Sequence, residues 1–276
     1  MTDFDPLNPQ ARHMADESMI RTLRHQADAI WPQERPLFER YGLPPDARIL
    51  DVGCGTGEIA LRLAELWPRA IVTGVDLVAH HLDLARRRAE PFGDRVRFEI
   101  GNAFGLTQPS GSFDLVVCRH MLQAIPHPER AVAEMIRVAR PGGRLHLLVE
   151  DYGMIHMHPT RLDAARFWLE GPRRFGLATG TDLHVGRGAF TLLRRLGLEE
   201  IAVDYVAVDT TRVARETFAA IWVAWRDGYA ASVAEHTDYT EEEVVAIFDD
   251  MIATIRDPDG FALWLVPIVS ARCPSR

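Results

Sequence analysis

The segment DVGCGTG, at residues 51–57, constrains the fold of this chain more than any other feature. Its three glycines stand at alternate positions, after the apolar run 48–52 and before the helical pattern 58–67. Glycine lets the backbone turn tightly and lets a ligand approach the main chain. A strand, a glycine-rich turn and a helix in this order are typical of the ligand-binding edge of an open α/β sheet. We therefore expect a ligand at this turn.

Short apolar runs alternate with helical patterns along the rest of the chain, which predicts a parallel α/β sheet. Further strands are predicted at 70–75, 95–100, 113–118, 144–150, 200–208 and 261–271. Two amphipathic helices are predicted between the last two strands, and the Thr240 and Glu243 pair predicts a capping box at the start of the second. The pattern favours a doubly wound, mostly parallel sheet with added helices.

Composition excludes several functions. The chain contains no lysine, so it cannot be a P-loop protein, a protein kinase or a Schiff-base enzyme, each of which needs one. The net charge is −8, and residues 199–260 hold 15 acidic against four basic side chains, which disfavours nucleic acid as a partner. The three cysteines form no C-x-x-C motif, so neither a disulfide framework nor a metal site is expected.

The apolar runs of the chain are too short for a membrane protein, and this predicts its cellular location. Residues 1–10 contain two aspartates and no apolar run, and the longest apolar stretch, 261–269, is far shorter than the ~20 residues that cross a bilayer. We therefore expect a cytoplasmic protein with no membrane insertion. The expected partner is a small molecule. The sequence leaves the oligomeric state open.

Asp76 ends the second predicted strand, where an acidic side chain can accept hydrogen bonds from two ribose hydroxyls. The alternative is a helix N-cap, a position that aspartate also favours. Glu58 stands where the dinucleotide fingerprint requires glycine or alanine, so a nicotinamide-dependent oxidoreductase is a weaker alternative.

Five motifs follow one another in a recognisable order: DVGCGTG at 51–57, GVD at 74–76, GNA at 101–103, FDLVV at 113–117 and RPGG at 140–143. Together they resemble the successive motifs of class I S-adenosylmethionine-dependent methyltransferases, over about residues 47–149. The resemblance implies a seven-stranded sheet whose last strand is antiparallel. It also implies S-adenosylmethionine as the methyl donor.

By the same resemblance, the glycines of the first motif line the methionine and ribose portion of the donor, and Asp76 holds the ribose diol. Leu77 packs on the adenine, Asn102 and Ala103 contact its amino edge, and the residues from 118 to 120 close the pocket near the methionine. The residues expected to bind the donor are therefore Asp51, Gly53, Cys54, Gly55, Gly57, Asp76, Leu77, Asn102, Ala103, Cys118 and Arg119.

Methyl transfer requires alignment of donor and acceptor, exclusion of water and, for some acceptors, removal of a proton. His120 follows the fourth strand and is the predicted catalytic residue, with a histidine of the pocket wall as the alternative. His156 and His158 are further candidates. Residues 119–122 read RHML and lack the Asn/Asp-Pro-Pro-aromatic motif in which adenine-amine and glutamine-amide methyltransferases resemble one another. We therefore expect transfer to oxygen or carbon of a small, largely apolar metabolite.

The whole chain, 1–276, is predicted to be one domain. Its donor-binding core spans about 46–150, and its closing elements span about 186–210 and 260–272. Helical cap elements are predicted at about 12–41, 152–185 and 211–258, because their apolar stripes must be buried. The candidate acceptor-binding residues are Tyr152, His156, Phe167, Trp168, Trp222 and Trp225.

Three alternatives remain open at this point. The aromatic stripes can belong to an ordinary core, and they can form a dimer interface away from the donor site. A protein that binds the donor without catalysis, or that serves as a scaffold, carries the same motifs.

Overall fold

The structure is a computed structural model that describes residues 8–10 and 16–275. Its strands are β1 (Arg48–Val52), β2 (Ile71–Asp76), β3 (Val96–Ile100), β4 (Phe113–Arg119), β5 (Ala139–Leu148), β6 (Ile155–His158), β7 (Glu199–Asp209) and β8 (Phe261–Arg272). Its helices are α1 (Glu17–Glu39), α2 (Glu58–Leu66), α3 (Ala79–Ala89), α4 (Pro128–Val138), α5 (Ala164–Thr179), α6 (Gly186–Arg195), α7 (Arg215–Glu235) and α8 (Glu241–Arg256). In these ranges, each helix is too short or too polar to cross a bilayer.

The strands form one twisted sheet. Five of them run parallel in the order β3-β2-β1-β4-β5, and β8 joins antiparallel to β5, with Leu148 opposite Ile268. Strand β7 pairs antiparallel with the other edge of β8. The prediction of a mostly parallel sheet with an antiparallel last strand is confirmed.

The sheet has one more strand than the seven expected. Strand β6 lies within 152–185, a stretch predicted to be helical, and pairs with the first residues of β8, with Ile155 opposite Trp264. Ile155 is buried and His156 is exposed, as the two-residue period of a strand requires. Strand β6 pairs with β8 along the same edge as β5, beyond the point where β5 ends, and α5 begins after β6.

Helices cover both faces of the sheet. Ile49 points to the face covered by α1, α2 and α3, whereas its neighbour Leu50 points to the face covered by α4 and α6. Successive residues of a strand point to opposite faces, so the short apolar strand β1 supplies both cores.

A third apolar cluster joins α1, α5, α7 and α8 to β6, β7 and β8. Its centre holds the fully buried side chains of Phe218, Trp222 and Trp264. Helix α8 begins with the predicted capping box, in which Thr240 Oγ1 accepts from Glu243 N at 3.2 Å and Thr240 N donates to the Glu243 carboxylate at 2.8 Å. Trp168 of α5 packs against the tryptophans of α7, and these pack against Trp264 of β8.

Candidate active site

The loop between β1 and α2 turns sharply at the carboxyl edge of the sheet. Gly53 and Gly55 have φ values of 74° and 51°, which L-residues with side chains rarely adopt. A Cβ atom on Gly53 would lie 2.9 Å from Sδ of Met121, and one on Gly55 would lie 2.7 Å from Cδ1 of Leu23. The loop thus needs glycine both for its backbone and for the space beside it.

Asp76 fixes this loop to the next strand. One carboxylate oxygen accepts a hydrogen bond from Gly55 N at 2.7 Å, and the other accepts from Val78 N at 2.8 Å. A carboxylate oxygen can accept more than one hydrogen bond, so both retain capacity for a ligand. Asp76 also borders a cavity of about 780 Å³ at the carboxyl edge of the sheet.

Most of the predicted donor-binding residues meet around this cavity. They are Gly53, Gly55, Asp76, Leu77, Asn102, Ala103 and Arg119. Asp51 and Cys54 instead border a smaller adjoining cavity of about 330 Å³, together with Gly53, Arg119 and His120.

Gly57 and Cys118 line none of these cavities. Gly57 caps the start of α2 with a φ of 79°, and a Cβ atom there would lie 2.7 Å from Cζ of Phe98. The side chain of Cys118 is fully buried in the core beneath α4, because it points to the face of the sheet that Leu50 also faces. In this structure, Gly57 thus serves the turn into α2 and Cys118 packs in the core.

The Asp51 carboxyl is buried, and one of its oxygens, Oδ2, has no hydrogen-bond partner. Burial raises the pKa of Asp51 to about 7, with a further rise from Asp76, while the positive charge of Arg119 opposes the shift. An unpartnered buried acceptor beside the glycine loop is suited to a ligand that carries a positive charge or donates a hydrogen bond.

A buried ionic network attaches α1 to the carboxyl end of β4. The Glu34 carboxylate accepts from Arg119 Nε at 2.9 Å and contacts His146 Nε2 at 3.0 Å, while Tyr41 Oη lies 2.8 Å from His146 Nδ1. Burial acts to raise the pKa of Glu34, but the charge of Arg119 and the His146 hydrogen bond lower it overall. Sequence reasoning missed Glu34, although a glutamate between Ile30 and Phe38 on an apolar helix face is a usable signal.

His120 stands between two cavities. It borders the cavity beside Asp76 and also a second cavity of about 830 Å³ beneath α5 and α7. Its φ of 53° is left-handed, a conformation in which histidine is enriched among residues with side chains. Its Nδ1 atom lies 2.5 Å from Glu150 Oε1, and its Nε2 atom has no hydrogen-bond partner.

The second cavity is largely apolar, and four of the predicted acceptor-binding residues line it: Tyr152, Phe167, Trp168 and Trp225. The Tyr152 and Trp168 rings stack with centroids 5.5 Å apart, and Trp225 meets Tyr152 edge-on at the same distance. The other two predicted residues lie elsewhere. Trp222 packs in the core, and His156 is exposed on β6 because it points away from the buried face.

Several polar residues of this cavity were not predicted. Glu150 follows β5 by two residues, Gln123 lies just beyond β4, and Gln26 lies on α1. The rule that located His120, a polar side chain beyond the carboxyl end of a strand, would also have located Glu150. The glutamines carry no such signal. Among the residues that the structure describes, no group of three or more His, Cys, Asp or Glu side chains is placed to hold a metal ion.

Comparison with known proteins agrees with this architecture. Residues 49–143 match the family model described as a methyltransferase domain. The chain is 44% identical over 101 residues to a demethylmenaquinone methyltransferase of Deinococcus radiodurans, which covers 37% of this chain and 42% of that protein. It is 34% identical over 168 residues to a trans-aconitate 2-methyltransferase of the same organism, which covers 59% and 61%. The chain thus spans about half the length of these relatives.

A solved structure adds the fold of the remaining chain. A geranyl diphosphate C-methyltransferase from Streptomyces coelicolor A3(2) superimposes with a TM-score of 0.53 at 17% identity, over 88% of this chain and 78% of that one. At this identity the likeness shows the fold alone. The fold and the glycine-loop cavity define a Rossmann-like α/β protein. The motif-bearing segment 49–143 matches a methyltransferase domain, in agreement with the resemblance that its motifs carry.

Proposed function

We propose that this protein is an S-adenosylmethionine-dependent methyltransferase that acts on oxygen or carbon of a small, largely apolar metabolite. The observation that carries the proposal is the meeting of two cavities at His120. One is bordered by the glycine loop and Asp76, and the other by aromatic side chains. Two adjoining cavities that share the side chains of His120 and Gln10 suit a reaction between two bound molecules.

The residues around the first cavity fit the donor. Asp76 would accept hydrogen bonds from the ribose hydroxyls, and the glycine loop would admit the methionine portion close to its backbone. Leu77 would pack on the adenine, with Asn102 and Ala103 at its edge. The unpartnered oxygen of Asp51 would balance positive charge near the methionine end. The donor, when bound, supplies a methyl carbon that its positively charged sulfur already activates.

The protein's own contribution is alignment, exclusion of water and a place for a proton. Helices α1, α5, α7 and α8 enclose the second cavity and would act as a cap over the acceptor. The donor-binding core, the closing strands and this cap would then function as one domain. His120 would orient the acceptor and take a proton from it where the chemistry requires one.

Calorimetry with S-adenosylhomocysteine tests donor binding. Asp76→Ala removes two charge-assisted hydrogen bonds to the ribose, so affinity should fall by about 2–4 kcal/mol, or roughly 30- to 1000-fold. Asp83→Ala, an exposed aspartate on α3 that pairs with Arg86, is the matched control and should bind as the wild type does.

Two results would contradict the proposal. One is an unchanged affinity in Asp76→Ala. The other is thermal protection of the wild type by NAD but not by S-adenosylhomocysteine, because only a ligand of the folded state raises its stability. Binding without any methyl transfer would favour the silent or scaffold alternative.

A further inference from the structure

Three polar residues that line the cavity beneath α5 and α7 contact one another, because Glu150 contacts the His120 ring and Gln123 Nε2 donates to the His120 carbonyl oxygen at 2.7 Å. His120 Nε2, Glu150 Oε2 and Gln123 Oε1 are all buried there without hydrogen-bond partners. A buried polar group without a partner costs free energy, so three of them together indicate the position of a ligand's polar group. The remaining walls are mostly aromatic or aliphatic.

The contact with Glu150 fixes the proton on His120. A carboxylate only accepts hydrogen bonds, so Nδ1 of His120 donates to Glu150 Oε1 at 2.5 Å. Nε2 of His120 is then the atom left to accept a proton, and this atom is buried without a partner on a residue that borders both cavities. Both side chains are at least nine-tenths buried, so water does not compete for either group.

We propose that His120 and Glu150 act as a proton-accepting pair and that the acceptor is a neutral, flat hydroxyaromatic molecule methylated at its hydroxyl. This inference rests on the function proposed above. The atom that faces both Nε2 and the donor cavity must donate a hydrogen bond, which a hydroxyl does and a ring carbon does not. Glu150 is the positioning residue, because it acts through His120.

Charge around the cavity supports a neutral acceptor. Glu150 places a negative charge at its polar end, and no arginine is among the described residues that line it. An acceptor with a carboxylate or diphosphate at that end would meet repulsion and no counter-charge. The stacked rings of Tyr152 and Trp168 and the nearby Trp225 offer flat apolar walls, which suit an aromatic ring system.

The other titratable groups nearby do not compete with His120 as the base. Burial raises the pKa of Tyr152 and of Tyr229 well above the usual range, so both phenols remain protonated. Arg119, the preceding residue, is paired with Glu34, and Asp51 lies on the side of the donor loop.

The step balances in atoms and electrons. The hydroxyl oxygen attacks the methyl carbon, the oxygen–carbon bond forms, and the carbon–sulfur bond breaks with its electron pair moving to sulfur. The hydroxyl proton moves to Nε2 of His120, and the Glu150 carboxylate stabilises the resulting imidazolium. The proton leaves to solvent after the product does.

The experiment begins with methyl-labelled S-adenosylmethionine and the small-molecule extract of the cells that make the protein. Mass spectrometry of the labelled product should show an aryl methyl ether. Rates with that acceptor are then measured for Glu150→Gln, which retains the size of the side chain, and for His120→Asn, since asparagine tolerates a left-handed φ. Glu170→Gln on α5 is the control.

At about pH 7, both variants should lose roughly 100-fold or more in kcat, the usual contribution of a general base, while calorimetry shows unchanged S-adenosylhomocysteine affinity in Glu150→Gln, because Glu150 does not border the donor cavity. The loss should shrink to below about tenfold near pH 10, where a phenol ionises without help. A purely structural role would give a loss that does not change with pH.

Three results would overturn the inference. They are a label on carbon, nitrogen or a carboxylate, wild-type rates in Glu150→Gln, or a loss that stays constant with pH. A wild type that binds donor but labels no small molecule would overturn the proposed function as well, and is thereby distinguished from these.

Discussion

The proposed donor side and the proposed acceptor side of this molecule are built in different ways. The cavity beside Asp76 is bordered by consecutive motifs at the ends of β1, β2 and β3, and Asp76 holds the glycine loop through the main-chain N–H of Gly55. The cavity beneath α5 and α7 is formed by side chains from helices that lie far apart in the sequence. One is set by local backbone geometry, and the other by tertiary packing.

This difference has a consequence for function. The cavity beneath α5 and α7 is lined by side chains of α1, α5, α7 and α8, so single substitutions on these helices can change its ligand. His120 belongs to both sides, because it follows a core strand and borders both cavities.

The largest expected effect on stability comes from breaking the ionic network between α1 and the sheet. Glu34→Ala on α1 leaves Arg119 and His146 buried without their partner, and should lower the free energy of unfolding by about 3–5 kcal/mol. Glu39→Ala removes only an exposed pair with Arg35 on the same helix and should cost at most about 1 kcal/mol. Urea unfolding measures both. Equal losses of unfolding free energy in the two variants would show that the buried network does not attach α1 to the sheet.

A second prediction concerns the donor side alone. With the pKa of Asp51 near 7, the folded protein holds a proton between about pH 4 and pH 7 that the unfolded chain has released. The free energy of unfolding of the wild type therefore falls, on account of Asp51, as the pH rises from about 4 to about 7. Asp51→Asn stays neutral at every pH. Its free energy of unfolding should therefore exceed that of the wild type by up to about 4 kcal/mol at pH 8 and differ little from it at pH 4.

Chemical denaturation at several pH values tests this dependence. The exposed Asp46→Asn, five residues earlier in the sequence, is the control and should follow the wild type at every pH. A gain in Asp51→Asn that is the same at pH 4 and pH 8 would show that Asp51 is ionised throughout.

The smallest effect distinguishes pocket from core on the acceptor side. Trp225→Phe removes part of a cavity wall and should raise the acceptor KM about fivefold, or about 1 kcal/mol, with donor affinity unchanged. Trp222→Phe, one helical turn away in the core, should lower stability by a similar amount and leave KM unchanged. The opposite pattern, with KM altered in Trp222→Phe alone, would place the acceptor elsewhere.

The donor side could be predicted in detail because its determinants are local. Glycine at fixed spacing and an acid at the next strand end predict a turn and its ligand from adjacent residues. Even there, Gly57 and Cys118 border neither of the two cavities beside the glycine loop, since a motif does not say which of its residues turn the chain or pack in the core.

The acceptor side could be predicted only in outline. Trp222 and Trp225 lie on one apolar stripe, and the positions of α1 and α5 decide which of them borders the cavity. Strand β6 is four residues long and depends on pairing with β8, more than a hundred residues away. Glu34 is buried only because Arg119 and His146 approach it from the sheet. Each of these contacts is non-local.

Methyl transfer itself is the most direct test of a donor site and an acceptor site that meet at His120. Wild type and Asp76→Ala are incubated with methyl-labelled S-adenosylmethionine and fractionated cell extract, and the label is followed into each fraction. We predict that the wild type labels one apolar, ultraviolet-absorbing small molecule and that Asp76→Ala labels it far more slowly. Label that enters protein or nucleic acid instead, or no label in any fraction from a wild type that binds donor, would contradict this function.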